Sequence, residues 1–167
     1  TYGKGEKINI NVPYPPESIL SGVFKDMGKD PNLVYERNFS LPCGFKRDRV
    51  IINFGAVDQI CECKVNGKSV GGNTGGYNSF EFDITDALIS GENTVEVIIY
   101  DSLDRELAYG KQRIARGGMW YTPISGLWKQ VWIESVPENY IKSLRITPSL
   151  DSVHIEVSGG AEEKRII

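Results

Sequence analysis

A chain of 167 residues is long enough for one full domain with a sizeable core, so its stability need not rest on metals or disulfides. Nineteen Lys and Arg against 22 Asp and Glu give a net charge of −3, which argues against nucleic acid, whose binders carry a concentrated basic excess. Eighteen Gly and eight Pro beside an ordinary 25% of charged residues describe a turn-rich chain, not a disordered one.

Short runs of alternating apolar and polar residues, separated by turn residues, dominate the chain and predict a β-sandwich or jelly roll. Pro15 to Gly22 places proline at the start and glycine past the end of one or two helical turns. A strand follows, with Leu33, Tyr35, Arg37 and Phe39 on one face. Val50, Ile52 and Phe54 share one face of the next, and Gln59 to Asn66 forms a third. Asn66-Gly67 then supplies the positive φ angles of a tight hairpin. The glycine-rich stretch Gly71 to Phe80 reads as a loop. Phe80, Phe82 and Ile84 point inward while Glu81 and Asp83 point out, and Thr85 is a plausible N-cap for a turn reaching Gly91. Val95, Val97 and Ile99 mark the strand from Thr94 to Asp101. A long loop from Lys111 leads into a strong strand over Trp128 to Glu134 with both faces at least partly covered.

A domain boundary is expected near Val136-Pro137-Glu138. Residues 1–137 form the first unit. Tyr140 to Thr147 and Val153 to Val157 are two further strands, followed by a turn at Ser158 to Ala161. A lone hairpin is marginal in water, so 138–167 reads as the start of a second β domain. The opening at Thr1 and the stop at Ile166-Ile167 read as a piece cut from a longer chain.

Cys61 and Cys63 lie two apart beside Val65, on one strand face opposite Glu62 and Lys64, and read as small core residues. An odd count of three cysteines leaves at least one thiol unpaired within the chain. Cys-x-Cys is too tight for a zinc knuckle and His154 is the sole histidine, so no metal is expected. No apolar run reaches the roughly 18 residues of a membrane helix and no leader opens the chain, so no membrane partner is expected. The compartment stays open. His154 stands alone on a strand, and the Gly71 to Gly76 run lacks the Gly-Lys-Ser/Thr ending of a phosphate loop. No cofactor follows from either.

Lys111, Arg113 and Arg116 share the long loop with the adjacent aromatics Trp120 and Tyr121. Flat apolar faces that stack on a ring, with donors for its hydroxyls, are how proteins hold sugars. The plain alternative is that the two aromatics plug the end of the sandwich. Asp101, Asp104 and Glu106 cluster after a strand with Arg105 among them. A glycosidase needs two carboxyls about 5 to 9.5 Å apart, and no second cluster is evident, so these read as a solvated loop or, less readily, a calcium-type oxygen site.

The run Val65 to Gly71, then Gly75-Gly76-Tyr77-Asn78-Ser79-Phe80-Glu81-Phe82-Asp83-Ile84-Thr85, then Gly91-Glu92-Asn93, then Ile124-Ser125-Gly126-Leu127-Trp128 onward to Glu134, resembles the N-terminal sugar-binding domain of glycoside hydrolase family 2. That family includes β-galactosidases, β-glucuronidases and β-mannosidases. The resemblance covers most of residues 8–137 and implies an all-β, galactose-binding-like jelly roll. It further implies an immunoglobulin-like sandwich beginning at 138 and a TIM barrel beyond, which carries the catalytic glutamates. No catalytic residue is then expected here, and the chain alone should not turn over glycosides. The jelly roll would lend rim loops to a β-glycoside pocket completed by the barrel, in a parent enzyme that could be homo-oligomeric. Candidate substrate-binding residues are Trp120, Tyr121, Arg116, Asn73 and Asp30. Asn73 stands where the family often has a histidine, and Asp30 aligns with an asparagine before proline. Gly118 replaces the aspartate that precedes Met-Trp in the β-galactosidase branch, which weakens the carry-over of galactose or sodium contacts. Two alternatives remain: a self-sufficient carbohydrate-binding module, or a structural β-sandwich. A finer expectation is that Lys111, Arg113 and Arg116 favour an acidic sugar.

Overall fold

The computed structural model describes residues 7–29, 31–102, 106–115, 117–159 and 164–166. In chain order the strands are β1 (Asn32–Ser40), β2 (Arg49–Phe54), β3 (Val57–Asp58), β4 (Ile60–Val65), β5 (Lys68–Thr74), β6 (Phe80–Asp83) and β7 (Glu92–Tyr100). After a long loop come β8 (Gly126–Leu127), β9 (Val131–Val136), β10 (Ser143–Pro148), β11 (Val153–Ser158) and β12 (Lys164–Ile166). Among the described residues the helical elements are two 3₁₀ turns, Ile19–Ser21 and Thr85–Ala87.

An antiparallel sheet in the order β1-β7-β4-β5 faces a second in the order β6-β2-β9. Leu33, Cys61, Cys63, Val65, Val97 and Ile99 from the first meet Val50, Ile52 and Phe54 from the second in one buried cluster, the core of a β-sandwich. Period two explains this directly: Cys61, Cys63 and Val65 are buried, while Glu62 and Lys64 point the other way and Lys64 pairs with Glu62 and Glu96. Burial pushes the Cys63 thiol up to about 12 and the Cys61 thiol up as well, so both are inert core residues. Phe54 stacks on Phe80 at 5.0 Å between ring centres and leans on Phe82 at 6.0 Å, which places β6 against β2 as its alternation requires.

The hairpin between β4 and β5 forms as expected, with Asn66 at φ 52° and Gly67 at φ 78°. A buried amide network beside it ties two distant segments. Asn93, 1% exposed, accepts from the Ile89 N–H (2.9 Å) and the Asn66 side chain (2.8 Å) and donates to the carbonyls of Ile89 and Gly91. Asn66 in turn accepts from the Thr94 N–H at 2.9 Å. The Val-Asn-Gly and Gly-Glu-Asn motifs are therefore two halves of one folding device.

Three expectations need correction. Gly71 to Thr74, the first part of the expected loop, belong to strand β5, because their backbone pairs with β4. The expected strand over Trp128 to Glu134 starts only at Val131: β2 pairs Phe54 with Val131, β3 pairs Val57 with Leu127, and residues 128–130 oppose only residues 55 and 56. That one-residue excess is a bulge, closed by the Gly55 N–H on the Gln130 carbonyl at 2.8 Å. Thr85 lies inside its turn, not at the cap. Its hydroxyl accepts from the Val50 N–H at 2.9 Å, while Asp83 accepts from the Thr85 N–H. In β2 the outer residues Ile51 and Asn53 are buried too, so this central strand is covered on both faces.

Beyond Pro137 the chain builds a separate sheet in the order β10-β11-β12. Leu144 lies opposite Val157, Ile146 opposite Ile155 and Pro148 opposite Val153, which puts one apolar row on one face, with Leu144 54% and Ile146 59% exposed. Arg145–Glu156 and Thr147–His154 form the polar face. His154, on β11, approaches Glu156 at 3.5 Å. The expected turn at 158–161 extends into residues outside those described.

Candidate functional site

The register brings several chain segments to one end of the four-stranded sheet. Asn32 opposes Tyr100, Tyr100 opposes Ile60, and Ile60 opposes Thr74, so the start of β1, the end of β7, the start of β4 and the end of β5 meet there. The Asp101 N–H donates to the Pro31 carbonyl at 3.1 Å, and the long loop leaves from that point to return at β8.

Gln112, 7% exposed, holds the loop together from inside. Its Nε2 donates to the Tyr109 carbonyl at 2.7 Å and its Oε1 accepts from the Ile124 N–H at 2.7 Å, joining the outgoing and returning arms. Flanking it, the Tyr121 N–H donates to the Lys111 carbonyl at 2.9 Å and the Arg113 N–H to the Tyr121 carbonyl at 3.2 Å. Lys111 and Arg113 are thereby turned outward beside Trp120 and Tyr121. The Arg113 guanidinium carbon lies 3.5 Å from the centre of the Trp120 ring, while Tyr121 is 67% exposed. Tyr77, edge-on to Trp128 at 5.9 Å, joins the loop to the sheet end, where the Trp128 indole N–H donates to the Gly76 carbonyl at 2.9 Å.

Under the loop lie three acids. Asp58 is 2% exposed and Asp101 6% exposed, and Glu17 accepts from the Ser125 N–H at 3.2 Å. Burial first, then the charges of Asp101 and Glu17, push the Asp58 carboxyl up to about 7 against the hydrogen bond from Gln112. Burial likewise raises Glu17, against hydrogen bonds from its own backbone and from Ser125. Gly76 permits this packing, since a Cβ there would stand 2.5 Å from Asp58 Oδ1. The expectation that Asp101 belongs to a solvated loop is corrected: the sheet end and the loop enclose it.

Of the candidate binding residues, Trp120 is partly buried beneath Arg113 and Tyr121 is exposed on the loop. Asn73 lies at the same sheet end on β5, opposite Cys61, and its amide donates to the Gly75 carbonyl at 3.2 Å. Asp30 and Arg116 lie outside the described residues, as do Asp104 and Arg105. Sequence reasoning missed Gln112, Asp58 and Glu17. The uncharged residue between Lys111 and Arg113 was the available signal for Gln112, since alternation turns the middle residue inward. No spacing links Glu17 to Asp58, which only the fold brings together. Among the described residues no group of three or more His, Cys, Asp or Glu side chains is arranged to hold a metal ion.

A family model described as glycosyl hydrolases family 2, sugar binding domain, matches residues 1–137. A β-galactosidase of Priestia megaterium is 26% identical over 151 residues, which are 90% of this chain and 14% of that protein. A β-galactosidase of Thermoanaerobacter pseudethanolicus is 27% identical over 139 residues, 81% of this chain and 18% of that protein. A solved β-glucuronidase from Ruminococcus gnavus matches with a TM-score of 0.74 at 24% identity, over 96% of this chain and 30% of that one. The chain thus spans 14% and 18% of the length of these two galactosidases. With four ordered motifs, a β-sandwich and a family match over residues 1–137, the chain belongs to the sugar-binding-domain family of the glycosyl hydrolases family 2.

Proposed function

We propose that this chain is the non-catalytic sugar-binding lobe of a longer β-glycosidase, and that it lends the 106–125 loop to the rim of a β-glycoside pocket. The observation that carries the reading is the division of labour around Gln112: aromatic and cationic groups face out, while the nearby carboxylates Asp58 and Asp101 are sealed beneath. A glycosidase needs two carboxyls open to a scissile bond, and these enclosed acids do not meet that need. The acid/base and nucleophile then reside on a catalytic barrel elsewhere in the polypeptide. Trp120 and Tyr121 contact the substrate, with Asn73, at the same sheet end, as a further binding residue; Asp30 and Arg116 complete the proposed set on the family resemblance alone.

The division at residue 137 belongs to this proposal. Residues 138–167 open a second, immunoglobulin-like β unit, which the uncovered apolar row of Leu144, Ile146 and Val153 supports, because such a face requires a second layer. Purified chain tested on nitrophenyl β-galactoside, β-glucuronide and β-mannoside should give no turnover above buffer, while the longer polypeptide hydrolyses at least one. Turnover by the chain at enzyme-like rates would overturn the reading.

A further inference from the structure

Resting on that rim-loop reading, we infer that Arg113, seated on Trp120, is a specificity-determining residue that recognises a carboxylate carried by the sugar. Three features lead there. The guanidinium carbon is 3.5 Å from the Trp120 ring centre, so one face of the cation is occupied by the indole. A guanidinium lying on a ring keeps its N–H donors around its edge, and that fork matches a carboxylate through two parallel hydrogen bonds. Among the described residues no carboxylate forms an ion pair with Arg113 or Lys111, in contrast to Arg49, which pairs with Asp83 and Glu138.

The backbone fixes this unit in place. Arg113 N–H is held by the Tyr121 carbonyl, Trp120 N–H by the Gly117 carbonyl at 3.2 Å, and Gln112 between them is buried and bonded to both arms of the loop. The side chain therefore pays little ordering entropy on binding. Tyr121, exposed beside it, offers a flat apolar face for the sugar ring. A ring bearing a carboxylate satisfies both groups at once; a neutral ring satisfies only the aromatic one. Lys111, exposed on the same loop, adds positive potential without the fork geometry.

The test has two arms. In the first, the 167-residue chain is titrated with sodium glucuronate, with glucose and with a carboxyphenyl β-glucoside while the Trp120 indole and Arg113 Nε resonances are followed. Glucuronate should shift both with an apparent affinity about tenfold above glucose. Arg113→Gln should remove that preference, and Arg113→Lys should keep only part of it. Equal responses to glucuronate and glucose, or a preference that survives Arg113→Gln, would overturn the inference. A response to the carboxyphenyl glucoside alone would also overturn it, since the carboxylate read would then sit on the leaving group. In the second arm, Arg113→Gln in the longer polypeptide should lower the ratio of kcat/KM for glucuronide over galactoside about tenfold, and an unchanged ratio would contradict it. A longer polypeptide inactive on every glycoside would sink the proposed function, while the titration arm still judges Arg113 by itself.

Discussion

Replacing Asp58 by Asn should stabilise the folded chain increasingly as pH rises above about 4, most of all above neutral pH, and do little below about pH 4. The carboxyl is 2% exposed, its Oδ1 has no hydrogen-bond partner, and the charges of Asp101 and Glu17 stand nearby. Folding moves its pKa from an ordinary 3.8 up to about 7. Each tenfold change in proton affinity is worth about 1.4 kcal/mol, so the ionised group costs the fold up to about 4 kcal/mol once it is fully charged. The sign follows from proton binding. Between these two pH values the folded chain keeps the proton and the unfolded chain has lost it, so stability falls as pH rises through the window and levels off above about pH 8. Asparagine has nearly the same shape and no charge. Urea unfolding of both proteins at about pH 5 and pH 8 should give a gap that opens in favour of the variant as pH rises. Glu17, raised in the same direction, leaves some residual pH dependence in the variant. A gap of equal size at both pH values, or a variant less stable at the higher one, would refute the electrostatic reasoning.

Asn93→Ala should cost about 2–4 kcal/mol in urea unfolding, because the Ile89 N–H and the Asn66 amide lose their buried acceptor; an unchanged midpoint would contradict the network. Gln112→Ala should leave the sandwich folded yet speed amide hydrogen exchange at Ile124 about tenfold or more, with Ile52 and Val97 unaffected. Thiol labelling of the native chain should modify exposed Cys43 and spare Cys61 and Cys63 until denaturant is added; rapid native labelling of either core cysteine would contradict their burial.

Much of the sandwich was legible because its strands are short and one-sided. Leu33, Cys61 to Val65 and Val95 to Ile99 follow period two, and their inward residues pack in the core as that count requires, whereas in β2 Ile51 and Asn53 are buried alongside Val50, Ile52 and Phe54. Asn66-Gly67 declared its turn through residue types that accept positive φ. The bulge at 128–130 was not legible, because its cause is a mismatch with residues 55 and 56 on another strand, more than 70 positions away. Thr85 was misplaced for a similar reason, since its hydroxyl serves Val50 across the sheet. At the candidate site, Trp120 and Tyr121 stood out by composition. The staple by Gln112 and the meeting of Glu17, Asp58 and Asp101 depend on tertiary closure, which local spacing does not encode.

The most direct test is the kinetics of the longer polypeptide carrying Trp120→Ala and Tyr121→Ala, alone and together. If the loop lines a substrate pocket while bond breaking happens on another domain, kcat/KM should fall about tenfold per aromatic removed, mainly through KM, with the pH profile of kcat unchanged. Unaltered kcat/KM in the double variant would contradict a rim role, and a displaced pH profile would place the chemistry on this lobe.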